Sequence, residues 1–324
     1  MPAASAQMAT ILDCNNEVDG KALNQNMETD AIFTPSTIER LQEIQFKRQR
    51  CQFCGSKAVF FCPGCFKALS PEEENLIPKV NLPTNVLVLR RDKPRRNTAA
   101  QVKTLAYDST TIHDLPMTSK KERRARCFPK INIKEFENVD KETEVALLYP
   151  SEKAVTFEEM TPGEVKKLKY IVVIDCPWRR TKAILDLPAL SGIKHVKLKD
   201  IPERGRFWRV PPEGQGYLST VEAVHYAFRE MAACYSNASD SNAKGRALSS
   251  EAESLVEEAN KLLFFFDKME MIVNEKRKSI MGNLFVPIAD EKYRKEQRKK
   301  WYPAGFQGND DVEGPLNDVK KAKC

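Results

Sequence analysis

Four cysteines near the N-terminus have a spacing that is typical of a metal site. Cys51 and Cys54 form one C-x2-C pair, and Cys62 and Cys65 form a second. Two such pairs can present four thiolates to one ion and close a tetrahedral zinc shell. Because a closed shell leaves no position for a substrate, the spacing predicts a structural zinc ion. Free or redox-active thiols are the alternative interpretation.

An acidic side chain follows an apolar run near the middle of the chain. Residues 170–174, with the sequence YIVVI, lead directly into Asp175. Ligand sites in α/β sheets collect beyond the carboxyl ends of the strands, so Asp175 is a candidate base or ligand contact. Two alternatives remain open. Asp175 caps the helix predicted to follow, or its neighbour Cys176 acts as a thiolate nucleophile in a base methyltransferase.

A second candidate segment covers residues 218–223, with the sequence LSTVEA. Ser219 and Glu222 have the spacing of a capping box, which predicts the start of an amphipathic helix. The free amides at a helix start attract anions, so this segment is a candidate seat for a carboxylate. The alternative is a helix cap without a ligand. On the same helix, His225 lies away from the apolar residues and is predicted to be at the surface.

Two basic segments are candidates for contact with nucleic acid. Arg206 and Arg209 flank Phe207 and Trp208, a combination suited to stacking on a base and to binding phosphate. Arg123 and Arg124 belong to the run at residues 120–126, which reads KKERRAR. That run is either an RNA contact or a nuclear-import signal, and a solvated charged surface is the alternative for it.

The elements that must position these residues alternate along the chain. Apolar runs predict strands at residues 86–89, 145–149, 170–174 and 193–198, and helical spacing predicts helices at 178–185, 220–231 and 250–280. Continuous apolar runs suit strands that are buried on both faces of a parallel sheet. Strands that alternate with helices predict an α/β domain.

Composition indicates a basic, globular protein with an acidic leader. The 324 residues carry a formal net charge of +7, and residues 1–40 hold six acids against two basic residues, which leaves about +11 for the rest. An anionic partner is expected, and nucleic acid is the commonest one. No apolar run is long enough to span a bilayer. Nine cysteines without a secretion signal predict a reducing location, in the nucleus, the cytoplasm or both.

Four regions are predicted on this basis. They are a disordered acidic leader at 1–40, a zinc knuckle at 41–80, a catalytic domain at 81–280 and a basic, partly disordered tail at 281–324. No obligate protein partner is inferred from the sequence.

Taken together, these motifs resemble the DTW-domain tRNA-uridine aminocarboxypropyltransferases. The shared order is a cysteine knuckle, a strand that ends in Asp-x-x-Trp, a Phe-Trp-Arg segment, and Leu-Ser-Thr-x-Glu-Ala at a helix start. The resemblance covers roughly residues 45–275. It implies a SPOUT-like fold, which is a parallel-sheet domain with a trefoil knot, here joined to a small N-terminal four-cysteine zinc knuckle.

The resemblance also implies an activity. S-adenosylmethionine (SAM) would donate its 3-amino-3-carboxypropyl group to N3 of a tRNA uridine, in the D-loop, and methylthioadenosine would leave. Asp175 and Trp178 would be the catalytic residues, and the cofactor would lie between Asp175 and the helix tip. The implied cofactor contacts are Asp175, Trp178, Leu218, Ser219, Thr220 and Glu222. Arg206, Arg209, Arg123 and Arg124 would contact the RNA.

One position departs from the family pattern. The family has Asp-x-Thr-Trp, whereas here Pro177 stands in the place of the threonine and removes its hydroxyl. Two other functions therefore stay open. One is an RNA-binding zinc protein that has lost catalysis, and the other is a SAM-dependent RNA methyltransferase of the same fold.

Overall fold

The computed structural model describes residues 48–91, 98–116, 131–201, 218–236 and 249–281. The predicted leader and tail, and the arginines at positions 123, 124, 206 and 209, lie outside these residues. The described residues form ten strands, which are β1 (Gln49–Arg50), β2 (Lys57–Ala58), β3 (Phe61–Cys62), β4 (Lys67–Ala68), β5 (Asn85–Arg90), β6 (Thr110–Asp114), β7 (Val145–Leu148), β8 (Val155–Thr156), β9 (Tyr170–Asp175) and β10 (Lys194–Lys197).

The described residues form seven α-helices. They are α1 (Pro71–Glu74), α2 (Ala99–Leu105), α3 (Pro162–Lys167), α4 (Trp178–Leu185), α5 (Thr220–Ser236), α6 (Ser250–Lys261) and α7 (Phe264–Met281). None of the helices in these ranges is long and apolar enough to cross a membrane.

Six of the strands form one parallel sheet, in the order β6-β5-β9-β7-β10-β8. The four predicted strands are all present, and the predicted α/β class with a parallel sheet is confirmed. Because every neighbouring pair is parallel, the carboxyl ends of all six strands lie at one edge of the sheet. The trefoil knot is a property of the whole chain path and stays a prediction.

Apolar side chains cover both faces of the sheet. On one face, Val86, Val88 and Ile171 pack with Val224 and Phe228 of α5. On the other face, the alternate strand residues Leu87, Leu89 and Val172 pack with Ile184 of α4 and with Ile193. Burial of both faces explains why the strands read as continuous apolar runs.

The predicted helix at 250–280 is two helices. Helix α6 ends at Lys261, and α7 begins at Phe264. Residues 262–266 are all buried. Five consecutive residues go more than once around a helix, so an uninterrupted helix buries all of them only when it is covered on every side. The turn at Leu262 and Leu263 redirects the chain and lets both helices pack.

The prediction that His225 lies at the surface is wrong. The residue is 1% exposed, and its Nδ1 lies 2.8 Å from the carbonyl oxygen of Ala259. Helix α6 packs against α5 at this position, so α5 is covered both by the sheet and by α6. The single apolar stripe in the sequence accounts only for the face toward the sheet.

Candidate active site

Three charged residues lie side by side where the strands end. Arg90 of β5 is aligned with Asp114 of β6 on one side and with Asp175 of β9 on the other. Side chains alternate along a strand, so Arg90 points to the same face as Val86 and Val88, which pack with α5. The row Asp114–Arg90–Asp175 therefore lies at the C-terminal edge of the sheet, on the α5 side.

Helix α5 begins in direct contact with this row. The hydroxyl of Thr220, its first residue, donates a 2.9 Å hydrogen bond to Oδ1 of Asp175. Asp175 is 7% exposed. The residue that caps α4 is Pro177, with no side-chain cap bond, so Asp175 is not a local helix cap. Two segments that were singled out separately in the sequence thus meet at one edge of the sheet.

The direct contact changes the expected position of a cofactor. The resemblance implied a cofactor between Asp175 and the helix tip, but Asp175 and Thr220 touch. They touch because α5 packs directly on the sheet that carries β9. A ligand at this edge would therefore lie beside the Asp175–Thr220 pair.

The start of α5 is capped by side chains of the protein itself. Ser219 donates to Oε2 of Glu222 from its amide at 2.9 Å and from its hydroxyl at 2.7 Å, so the reciprocal contact of a capping box is present. The amide of Val221 donates to the hydroxyl of Thr98 at 3.1 Å. With these donors engaged, the helix start has fewer amides for a carboxylate than its sequence indicated.

The other predicted pocket residues lie close by along the chain. Leu218 is partly buried just before α5, and Trp178 is the first residue of α4, three positions after Asp175. The side chain of Trp178 lies outside what the structure describes. Burial raises the pKa of the Cys176 thiol, and the charge of Asp175 raises it further. A thiol with a raised pKa is a poor nucleophile, which disfavours the thiolate alternative.

Sequence reasoning missed Arg90. The residue is 4% exposed, and its Nε and Nη2 donate to the two oxygens of Asp114 at 2.6 and 2.8 Å. Because that edge of the planar guanidinium faces β6, Nη1 points away from β6. Nη1 is buried and has no hydrogen-bond partner in the described part of the chain. A signal was present, since Arg90 ends the apolar run 86–89 as Asp175 ends the run 170–174.

The four predicted metal ligands come together. The sulfur atoms of Cys51, Cys54, Cys62 and Cys65 all lie within 4.8 Å of one another. The Cys51–Cys65 and Cys54–Cys62 sulfur distances are 3.9 and 3.5 Å. Four sulfurs at 2.3 Å from a central zinc ion are about 3.8 Å apart in a tetrahedron. The cluster is thus compatible with a metal site.

The cysteine cluster packs on the α/β domain through aromatic rings. The ring centroids of Phe60 and Phe61 lie 6.3 and 4.5 Å from that of Phe265 in α7. Phe60 also belongs to the core on the α5 face of the sheet. Folding of the knuckle therefore supports the packing of α7.

A partly buried carboxylate holds the chain after β10. Oε1 of Glu230 in α5 accepts hydrogen bonds from the amides of Lys199 and Asp200, at 2.8 and 3.2 Å. These two residues lead toward the segment that contains Arg206 and Arg209. Burial raises the pKa of Glu230 to about 7.

We expect the stability of the protein to depend on the ionisation of Glu230. Its folded pKa lies above its ordinary value, so the folded state holds the proton more tightly and wild-type stability falls as the pH rises from about 4.5 to about 7. In Glu230→Gln this contribution is absent. Between pH 5 and pH 8, the free energy of unfolding of the wild type should fall by about 1–2 kcal/mol more than that of the variant, as measured by denaturation. This loss is smaller than the whole pKa shift would give, because water reaches the carboxylate and screens its charge. Equal pH dependence in both proteins would contradict this.

Residues 59–273 match the model of the DTW domain family. The match covers more than half of the chain, and the chain belongs to this family. It begins between the two C-x2-C pairs, so the first pair lies outside the matched region.

Similar proteins carry a more specific name. The tRNA-uridine aminocarboxypropyltransferase 1 of Xenopus laevis is 23% identical over 303 residues, which is 81% of this chain and 92% of that protein. The Xenopus tropicalis protein of the same name is 26% identical over 289 residues, 81% of this chain and 91% of its own. The Homo sapiens protein of that name is 25% identical over 231 residues, 58% of this chain and 70% of its own.

A solved structure is also similar. The SAM-dependent rRNA:acp-transferase Tsr3 from Vulcanisaeta distributa is 16% identical, with a TM-score of 0.32, and the match covers 68% of this chain and 98% of that chain. Because the two structures superpose poorly at that score, the family assignment rests on the sequence match.

Proposed function

We propose that this protein transfers the 3-amino-3-carboxypropyl group of SAM to N3 of a uridine in tRNA. Membership of the DTW family and the names of the similar proteins support this function. One structural observation supports the assignment of this function to particular residues. It is the contact of the buried Asp175 with Thr220 at the C-terminal edge of the sheet. The D-loop is the position in tRNA that the family resemblance implies.

The chemistry requires one bond to form and one to break. The uridine N3 attacks the methionine-chain carbon bonded to the sulfonium, the carbon–sulfur bond breaks, and its electrons stay on the sulfur of methylthioadenosine. The N3 proton must leave, and we assign it to the carboxylate of Asp175. The hydroxyl of Thr220 donates a hydrogen bond to Oδ1 of this carboxylate. Thr220 thus orients the base that takes the proton.

The migrating group carries a carboxylate, which needs a cationic partner. We propose Arg90 for this role in place of the capped start of α5. A buried guanidinium stays charged, and an unsatisfied buried nitrogen is costly. Nη1 of Arg90 points away from Asp114, and Asp175 is aligned with Arg90 on the neighbouring strand. A SAM carboxylate held there would place the methionine side chain beside Asp175, where the transfer to uridine must occur.

Replacing Arg90 with Met tests this anchor. Loss of a charged hydrogen bond is expected to raise the Kd of SAM roughly 10- to 100-fold, measured by calorimetry. Asp114 is 67% exposed, so water can solvate it when its partner is gone. The control is Asp114→Asn, which keeps an acceptor for Arg90 and should change the Kd by less than about fivefold. Unchanged SAM affinity in a folded Arg90→Met variant would remove Arg90 from the site.

We further propose that the ion of the cysteine cluster is zinc and that its role is structural. Cys51, Cys54, Cys62 and Cys65 would all be ligands, and the donor set of four thiolates suits zinc. Zinc there would hold together a knuckle that has few apolar side chains of its own. The core of the knuckle consists of Cys51, Cys62 and Leu69, with two partly buried neighbours.

The by-product distinguishes the proposed reaction from methyl transfer. Purified protein incubated with SAM and unmodified tRNA should release methylthioadenosine, which chromatography separates from S-adenosylhomocysteine. Release of S-adenosylhomocysteine would indicate the methyltransferase alternative. Absence of both products would indicate an RNA-binding protein without catalysis, in which Pro177 has replaced the family threonine.

A further inference from the structure

A cleft lies at the opposite end of the sheet from Asp175. Its volume is about 610 Å³, and it is lined by the first residues of two central strands, Asn85 of β5 and Tyr170 of β9. Four lysines also line it, and they are Lys134, Lys166, Lys167 and Lys169. The proposed chemistry at the C-terminal edge uses none of these residues.

The cleft has an excess of positive charge. Lys169 pairs with Glu144 at 2.8 Å, and Lys166 pairs with Glu251 at 2.7 Å. Lys134 and Lys167 form no ion pair within the described residues. The acidic side chains of the lining are Glu135 and Glu144. Both already have partners, because Glu144 pairs with Lys169 and an oxygen of Glu135 lies 2.8 Å from Nε2 of His113. Among the described residues, these two lysines therefore have no ionic partner and can contact a ligand with negative charge.

The shape and chemistry of the cleft suit a polyanion. Small-molecule pockets are enclosed and mostly apolar, with a few polar groups. This cleft has lysines on its rim, amides from Asn85 and Asn138, and the partly buried ring of Tyr170. Lysine ammonium groups are hydrated point charges that contact phosphates without fixed geometry. An aromatic ring can stack on an unpaired base or a ribose.

The distance to Asp175 is compatible with one RNA molecule at both places. Tyr170 and Asp175 are the first and last residues of β9, and five steps of about 3.3 Å separate them by about 16 Å. Helices cover both faces of the sheet, so the RNA must pass around the surface of the protein and not along β9. A folded tRNA is large enough to contact the cleft while its uridine lies at Asp175.

We propose that this lysine cleft binds the phosphate backbone of the substrate tRNA at a distance from the reacting uridine. The inference rests on the proposed function, since it takes the bound RNA to be the substrate. It assigns a second RNA contact, formed by the short 3-10 helix Lys134–Phe136 and by the end of α3, in addition to the arginines predicted from the sequence.

The test is the salt dependence of tRNA binding. The double variant Lys134→Ala/Lys167→Ala is compared with wild type and with Lys79→Ala/Lys278→Ala, which removes two exposed lysines that do not line the cleft. Kd for an unmodified tRNA transcript is measured over a range of salt concentrations. Each lysine that contacts a phosphate contributes about 1 to the slope of log K against log salt, so the cleft variant should lose about 2. The control pair should keep the wild-type slope.

Two further measurements separate the outcomes. SAM affinity should be the same in all three proteins, because the cleft is remote from Asp175. An unchanged tRNA slope in the cleft variant, or an equal loss in the control pair, would overturn the proposal. Binding of inorganic phosphate is measured in the same proteins. If the tRNA slope is unchanged and only the proteins with an intact cleft bind phosphate, the cleft is a site for a small anion, which also overturns the proposal. If the slope falls as expected but no transfer occurs, the RNA contact stands and the proposed function fails.

Discussion

Asp175→Asn is expected to lower the rate of aminocarboxypropyl transfer about 100- to 10,000-fold, the usual range for the loss of a general base. Asparagine has nearly the same shape, and its side-chain oxygen can still accept the hydrogen bond from Thr220. The packing of α5 on β9 should therefore survive. What the amide cannot do is accept the proton of the uridine N3. Single-turnover kinetics at saturating SAM and tRNA would measure the loss in the chemical step.

The matched control is Thr220→Val. This variant keeps the carboxylate and removes the hydroxyl that orients it, so we expect a loss of rate of about one order of magnitude, the size of one hydrogen bond. Single-turnover rates of the two variants separate the two roles, because only Asp175→Asn removes the group that accepts the N3 proton. If Asp175→Asn keeps the wild-type rate, Asp175 is not the base, and its contact with Thr220 is structural.

Cys62→Ser is expected to abolish metal binding and to unfold the knuckle. The wild-type chain should hold one zinc ion, and structural zinc contributes about 10–16 kcal/mol to the folding of small four-ligand units. Cys62 is fully buried at the centre of the cluster, so a serine hydroxyl there can neither replace the thiolate nor be solvated. Elemental analysis measures the metal. Proteolysis followed by mass spectrometry should show new cleavage between residues 50 and 66.

Cys176→Ser provides the control for this experiment. It removes a cysteine outside the cluster and should leave the zinc content at one ion per chain. The same variant should also retain transfer activity, since the raised pKa of Cys176 argues against a thiolate mechanism. Loss of metal in Cys176→Ser, or full metal content in Cys62→Ser, would contradict the assignment of the ligands.

Much of the candidate site at the C-terminal edge of the sheet could be predicted from local sequence. The run 170–174 identified β9, and the position of Asp175 after it follows from the rule that sites form at the carboxyl ends of parallel strands. The capping box at Ser219 and Glu222 identified the start of α5, and the structure has it. Both signals are local, because strand burial and helix capping depend on residues a few positions apart.

The partners across the sheet could not be predicted. Strand β6 has the sequence TTIHD, which lacks an apolar run, so nothing in it indicated a strand at residues 110–114. Strand order depends on contacts between residues far apart in the chain, since β9 lies between β5 and β7. The pairing of Arg90 with Asp114, and its alignment with Asp175, became visible only when the order of the strands was known.

Helix packing produced the remaining differences. The apolar stripe of α5 accounts only for the face toward the sheet, so His225, which contacts α6, was predicted to be a surface residue. Likewise, the apolar residues 262–266 looked like the interior of one long helix, although their complete burial required a turn. In both cases the sequence shows that residues are apolar or polar, but not how many neighbours surround them.

We infer that the contact of Asp175 with Thr220 marks a site for transfer of the methionine chain of SAM to RNA. The most direct test incubates the purified protein with unmodified tRNA and with SAM labelled in the aminocarboxypropyl carbons, followed by nucleoside mass spectrometry. We predict a labelled uridine that carries the aminocarboxypropyl group at N3, present with wild type and lost with Asp175→Asn. If folded, metal-loaded protein leaves the RNA unlabelled, the protein does not transfer this group to tRNA.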